Sequence, residues 1–203
     1  MRGSVENLVG DNEQRVFYVW VDLNDQLTRQ QVEGAGCLVS IPPEVGSQRL
    51  LFLPNPEFRS ALSPFQNNIL RNYTAEYNLE IAREKSFPRY PSRLQAVFLF
   101  ASGSDAASYH ALHPEHVGGR VLKAVRTVGP YIFSTHDGSW VDFLRLPHSV
   151  DTRSLEVISE AYWMGRKVLG SRLASWNSPW QQEPIAEVLF AGRVDFLPGS
   201  RAG

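Results

Sequence analysis

"SRLQAVFLFASGSDAASY", residues 92–109, joins a bare apolar strand to a short helix of small residues. Phe98, Leu99 and Phe100 read as a buried strand, and the Ser/Gly/Asp break after them reads as a helix start carrying Ala106 and Ala107. A strand running into a helix explains the hydrophobicity. It does not explain Tyr109 at the end of a run of small side chains, or Arg93 at the strand's opening.

Outward from this segment the chain alternates irregularly between short strands and helices. Residues 16–21, "VFYVWV", read as a first strand, rich in β-branched and aromatic types. Polar residues 22–34 follow as a turn or short helix ended by Gly34. "GCLVSI" and "RLLFLP" read as two strands either side of the Pro42-Pro43 turn. Residues 65–86 carry the longest helical pattern, through Ile69, Leu70, Tyr73, Tyr77, Ile81 and on to Phe87, with Pro88 and Pro91 as stops. "RVLKAVRTV" and "WVDFLRL" read as strands, and residues 151–167 as a second helix with Asp151 as its N-cap. "AEVLFAGRVDFL" closes the chain as a strand or hairpin, ahead of a loose tail. Seven or eight strands with two or three helices, not in regular βαβ alternation, predict a mixed α+β fold in one domain spanning 1–203.

Composition narrows the function classes. The chain has 20 Lys+Arg against 21 Asp+Glu, a net charge of -1, so no global basic field favours nucleic acid or acidic lipid. The single cysteine, Cys37, excludes an internal disulfide and reads as a small buried hydrophobe between Gly36 and Leu38. The first residues lack the apolar core of a signal peptide, and no apolar run approaches the ~20 residues of a membrane span. A cytoplasmic protein without a membrane partner is the expectation. Walker, dinucleotide-fingerprint and nucleophile-elbow motifs are absent from the sequence.

Three features have the residue types for chemistry. His110, His113 and His116 stand three apart, which invites zinc, but Pro114 interrupts the spacing and no cysteine lies nearby. A solvated loop with no metal is the expectation there. Glu187 lies in an apolar strand, where it is either buried with a partner or turned outward by alternation, and the residues leave both readings open. Arg93 and Arg83 are candidates to hold a phosphate bidentately, or else surface ion-pair partners.

"AVFLFASGSDAASY" resembles the second core block of ADP-ribosyltransferases, best seen in the poly(ADP-ribose) polymerases. That block is a Tyr-Phe-Ala strand, a loop, and a helix of small residues ending in tyrosine. Phe98 to Ala101 match the strand, Ser104 to Ser108 the helix and Tyr109 the tyrosine. "AEVLFAGRV" is similar to the third block, with Glu187 at the catalytic glutamate. "FPRYPSRLQAVF" is similar to bacterial members that carry Pro-Ser-Arg before the same strand. The first block's His-Gly pair is replaced by a strand holding Tyr18 and Trp20.

The resemblance implies two small packed mixed β-sheets around an NAD cleft. It implies an NAD-dependent transferase, a toxin or phage-defence effector, that moves ADP-ribose to a macromolecular acceptor, nucleic acid or protein, and is restrained by an antitoxin or inhibitor protein. NAD is then the substrate, with Glu187 catalytic, Arg93 and Arg83 on the pyrophosphate, Phe100 and Tyr109 against nicotinamide, and Tyr18 or Trp20 bounding adenosine. Water as acceptor, or phosphate transfer from RNA, keeps the same fold. The competing expectation is a non-catalytic adaptor whose aromatic strands and Trp176/Trp180 loop form a protein interface.

Overall fold

A 17-residue strand with a break in its middle organises the molecule. The computed structural model describes residues 7–40, 64–145, 152–171, 181 and 183–198, of which 64–74 and 152 by backbone alone. In chain order the elements are β1 (Leu8–Asp11), β2 (Val16–Val21), α1 (Gln26–Arg29), a π-helical turn (Gln30–Ala35), β3 (Cys37–Ser40), α2 (Pro64–Ser86) and β4 (Val97–Leu99). Then come α3 (Gly103–Leu112), α4 (Pro114–Val117), β5 (Val121–Asp137), α5 (Ser139–Arg145), α6 (Thr152–Trp163) and β6 (Ala186–Phe196).

Gly129-Pro130 looks like a strand stop in the sequence. Proline withdraws a ladder donor, and the result is a register shift between Val128 and Ile132 rather than an end. Each half of β5 therefore takes its own outer neighbour: β2 pairs with the first half and β1 with the second. On its other side β5 runs against β6, which in turn holds β4 and β3. Tyr18 and Phe100 exchange both backbone hydrogen bonds, at 2.8 and 2.9 Å, so the sheet bends until β2 meets the end of β4.

The fold is mixed α+β, as expected, but its sheet is not the expected pair of small mixed sheets. Among the described residues all six strands join one sheet, and every pairing is antiparallel. The bend lets one sheet enclose a core by itself. Phe17, Val19, Leu99, Val125, Val188 and Phe190 fill its inner face. Leu79, Trp140, Ile158, Tyr162, Trp163 and Leu189 form a second cluster between the opposite face and α2, α5 and α6. Each buried indole N–H there finds a carbonyl, Trp163 on Leu79 and Trp140 on Arg166, both at 2.7 Å.

The described residues of "WVDFLRL", 140–145, lie in the helix α5 and not in a strand. Its buried positions Ser139, Trp140, Val141 and Phe143 follow a helical face rather than alternation. The helices number six among the described residues because α1, α4 and α5, at four to seven residues, are too short to register as a period. On α2 the buried side chains include Ala75, Leu79 and Arg83, while Ile81 is 45% exposed, so the apolar stripe read from the sequence is rotated at its C-terminal end. Gly36, with φ 67°, rather than Gly34, terminates the π-helical turn, since only glycine takes that left-handed cap without strain. Cys37 is half-buried on the terminal strand β3 rather than enclosed. The "RLLFLP" strand, the Pro42-Pro43 turn, the Asp151 cap, the Trp176/Trp180 loop and the tail beyond 198 lie outside the described residues.

Candidate functional site

Strand alternation decides which side chains share the outer face. Leu99 pairs with Val188 and points into the core, so Phe98, Phe100, Glu187 and Leu189 point to the other side. On β2 the same logic buries Phe17, Val19 and Val21 and turns Tyr18 and Trp20 outward. Helix α3 starts directly after β4. Its N-cap Ser102 accepts from the Asp105 N–H at 3.0 Å, and Ala106 is fully buried. The complete burial of Ala106 leaves no solvent-facing room for a larger side chain, which is one reason for the run of small residues. Trp20 donates from its indole to the Ala106 carbonyl at 3.2 Å and so ties helix to strand.

Two cavities meet here and share Phe98, Tyr109 and Glu187. The first, about 340 Å³, is aromatic, with Trp20, Phe100 and the exposed Arg120 completing its walls. The rings of Phe100 and Tyr109 lie 5.2 Å apart, tilted at 44°. The second, about 210 Å³, is charged and is lined by Glu76, Arg93, Asp142 and Arg145. Glu187 stands on both.

The Glu187 side chain is 13% exposed and that of Arg93 only 5%. One Arg93 nitrogen, Nη1, donates to Glu187 Oε1 and to the Tyr162 hydroxyl, while Nε and Nη2 bind both oxygens of Glu76 at 2.6 and 3.1 Å. The guanidinium also lies 5.0 Å from the Phe98 ring and 5.2 Å from that of Tyr162. Tyr162 donates to the same Glu187 Oε1 at 2.7 Å. Among the described residues no hydrogen bond reaches Glu187 Oε2, which lies beside Gly138. A methyl at Gly138 would come within 3.3 Å of that oxygen.

One cation here serves two carboxylates, and the two are not equivalent. Glu76 also binds Arg145 at 3.2 Å, and its carboxyl stays below the usual range because two guanidiniums outweigh its burial. Glu187 has Arg93 alone, and burial pushes its carboxyl above the ordinary value against that pull. Burial likewise raises the Tyr162 phenol, and that of Tyr109, where the Glu187 charge adds to the effect. The position of β6 is itself fixed by Asp137, whose Oδ1 accepts from the Ile185 and Ser139 N–H groups and whose Oδ2 accepts from Val168.

The structure thus brings Arg93, Phe100, Tyr109, Trp20 and Glu187 to one cleft. Tyr18 lies on the same face of β2, its ring within 3.8 Å of a side chain built at Gly103, beside the cleft and not among its lining residues. Arg83 is elsewhere. It is 8% exposed, bonded to Glu80 and to the carbonyls of Pro88 and Tyr90, and clamps the turn between α2 and β4. Arg93 stands on the wall of the charged cavity with its guanidinium bonded to the carboxylates of Glu76 and Glu187. Sequence reasoning missed Glu76, Tyr162 and Arg120. Two of these sit in helices, where a lone charge or ring gives no signal.

No curated protein matches the sequence. One family profile spans residues 8–199, from β1 past the end of β6 and including every residue of the cleft, and the chain belongs to that family, described as proteins of unknown function (DUF2441).

Proposed function

We propose that the protein is an NAD-dependent ADP-ribosyltransferase, with NAD held across the aromatic cavity and Glu187 as its catalytic residue. One observation carries the reading: Glu187, Tyr109 and Phe98 stand at the junction of an aromatic and a charged cavity. The strand, loop, small-residue helix and closing glutamate strand resemble the core of that superfamily, and the bent sheet gives them a common face. Phe100 and Tyr109 pack on nicotinamide. The exposed Arg120, rather than the enclosed Arg93 or the distant Arg83, is the cation offered to the diphosphate.

Breaking the nicotinamide–ribose bond builds positive charge on the sugar, as glycoside hydrolysis does. Glu187 Oε1 is fixed by two donors, which leaves Oε2 to accept from a ribose hydroxyl and to face that charge. A carboxyl raised by burial is also placed to take the acceptor's proton. The acceptor, nucleic acid or protein, then approaches from the charged cavity, and a toxin or phage-defence role with a protein inhibitor accords with such chemistry.

A second reading rests on the Arg93–Glu187 pair itself: a domain that binds a ligand in the same cleft without turnover, with Glu187 holding the fold. Incubation with NAD separates them. Transferase activity predicts released nicotinamide together with a higher melting temperature in millimolar NAD, reduced in Arg120→Ala. Stabilisation without nicotinamide release leaves the binding reading, and the absence of both removes NAD.

A further inference from the structure

We infer that His113, Glu115 and His116 form a binding site for a divalent transition-metal ion of the zinc class, at the corner between α3 and α4. In the sequence Pro114 stands between the second and third histidines. In the fold it brings them together. It opens the one-turn helix α4 at the first position, where proline's missing N–H costs nothing, and the turn swings His116 back over His113. Their ring centroids lie 5.1 Å apart with the planes within 9° of parallel, so the exposed His116 ring has to turn before the in-plane lone pairs of both imidazoles meet at one ion.

One ligating atom from each of the three residues lies within 4.8 Å of the other two. Glu115 Oε1 stands 3.8 Å from His113 Nδ1 and 3.8 Å from His116 Nε2. Bonds of about 2.1 Å to one ion would subtend roughly 130° at that spacing, and tetrahedral closure needs Glu115 to approach each histidine by about 0.4 Å, with the two histidines drawing together as well. Glu115 is 65% exposed and His116 43%, so both can make that adjustment.

The outer partners give the independent support. A histidine that ligates a metal through one nitrogen usually commits the other to a carboxylate or similar acceptor. His113 Nε2 lies 3.0 Å from Asp142 Oδ2. Neither atom is exposed, and their present alignment falls short of a hydrogen bond, so each is left to the other. On the second histidine, Nδ1 faces the Tyr109 hydroxyl at 3.5 Å. With the ion on His113 Nδ1 and His116 Nε2, the other nitrogen of each ring has an oxygen nearby, Asp142 Oδ2 at 3.0 Å and the Tyr109 hydroxyl at 3.5 Å. Three protein ligands leave a fourth position for water. His110 does not join them, because its ring packs edge-on against Trp20 at 5.3 Å. The ion would fix the orientation of Tyr109 and Asp142, which line the cleft, whatever that cleft does.

Cobalt(II) is the probe. Titration of the metal-stripped protein should give one equivalent of tightly held Co²⁺ with the intense visible bands of four-coordination, displaced by Zn²⁺. Glu115→Ala and His116→Ala, both at exposed positions, should abolish those bands while folding normally. Asp142→Asn should weaken binding about 10–100-fold, and His110→Ala should leave it intact. Bands that never exceed those of the aquated ion, or that persist in His116→Ala, overturn the proposal. So does their loss in His110→Ala with retention in Glu115→Ala.

Discussion

Arg93 and Glu187, far apart in the chain, form an ion pair that is all but withdrawn from water, with 5% and 13% of their side chains exposed. Arg93 enters from the turn after Pro91 and Glu187 from β6, so the pair holds the α2–β4 connection against the sheet. Its second carboxylate, Glu76, extends the hold to α2.

Removing Arg93 leaves two enclosed carboxylates on one side of a core. Arg93→Ala should lose about 3–5 kcal/mol of stability, the range for a buried pair deprived of one partner. Arg93→Lys should recover little, since a single ammonium cannot reproduce the two-pronged contact with Glu76 and the bond to Tyr162. Urea unfolding of the three proteins measures this. A lysine variant as stable as the parent would refute the geometric account.

His136 predicts an acid-sensitive fold. It is 3% exposed, and burial, reinforced by the Arg93 charge, lowers its pKa to about 3. Nδ1 donates to the Tyr162 carbonyl at 2.9 Å, which leaves Nε2 to accept from Ser134 Oγ at 2.7 Å. The folded state therefore holds the ring neutral, whereas the unfolded chain protonates it near ~6.5. The stabilisation is complete above that value and is lost as pH falls towards 3, by up to about 1.4 kcal/mol per pH unit. The raised pKa of Glu187 acts in the opposite sense over part of this window, so a comparison is needed. Unfolding midpoints between pH 7.5 and 4.5 should fall more steeply in the parent than in His136→Gln.

Gly192 is required by a close crossing. Its φ of 142° is foreign to residues with a side chain, and a Cβ there would lie 2.8 Å from Tyr131 Cβ and 3.2 Å from Tyr131 Cα. The crossing falls where β6 passes the break in β5. Gly192→Ala should cost at least about 1–3 kcal/mol from backbone strain before the clash is counted, read as a drop in melting temperature. Gly34→Ala, with open space around it, should change little.

Local signals carried much of this in the sequence. The strand at 97–99, the small-residue helix behind it, α2 and α6 all announce themselves by periodicity, and Tyr109 and Glu187 stand out because their types conflict with their surroundings. What was not legible depends on long-range pairing. The strand read over "RVLKAVRTV" runs on past Gly129-Pro130, and β6 alongside makes that pair a bulge in one strand of a single sheet. Arg83 and Arg93 look alike in sequence. Their partners separate them, since Glu80 lies one turn before Arg83 whereas Glu187 reaches Arg93 only through the folded sheet.

Glu187→Gln is the sharpest test of the cleft. The amide keeps the size of the side chain and can still accept from Arg93 and Tyr162, but it removes the negative charge that an electron-poor sugar would meet. If that charge is catalytic, nicotinamide release should fall by about 10²-fold or more, as for other single preorganised electrostatic groups. Stability answers separately. Burial already pushes the Glu187 carboxyl upward, and Arg93 keeps Glu76 as an ionised partner, so the neutral amide should leave the melting temperature nearly unchanged or raise it. A carboxylate whose purpose is to hold the fold gives the opposite pattern, a loss of about 3–5 kcal/mol with turnover per folded molecule intact. Measured together on one variant, melting temperature and nicotinamide release decide between these roles, and undiminished turnover excludes Glu187 as the catalytic residue.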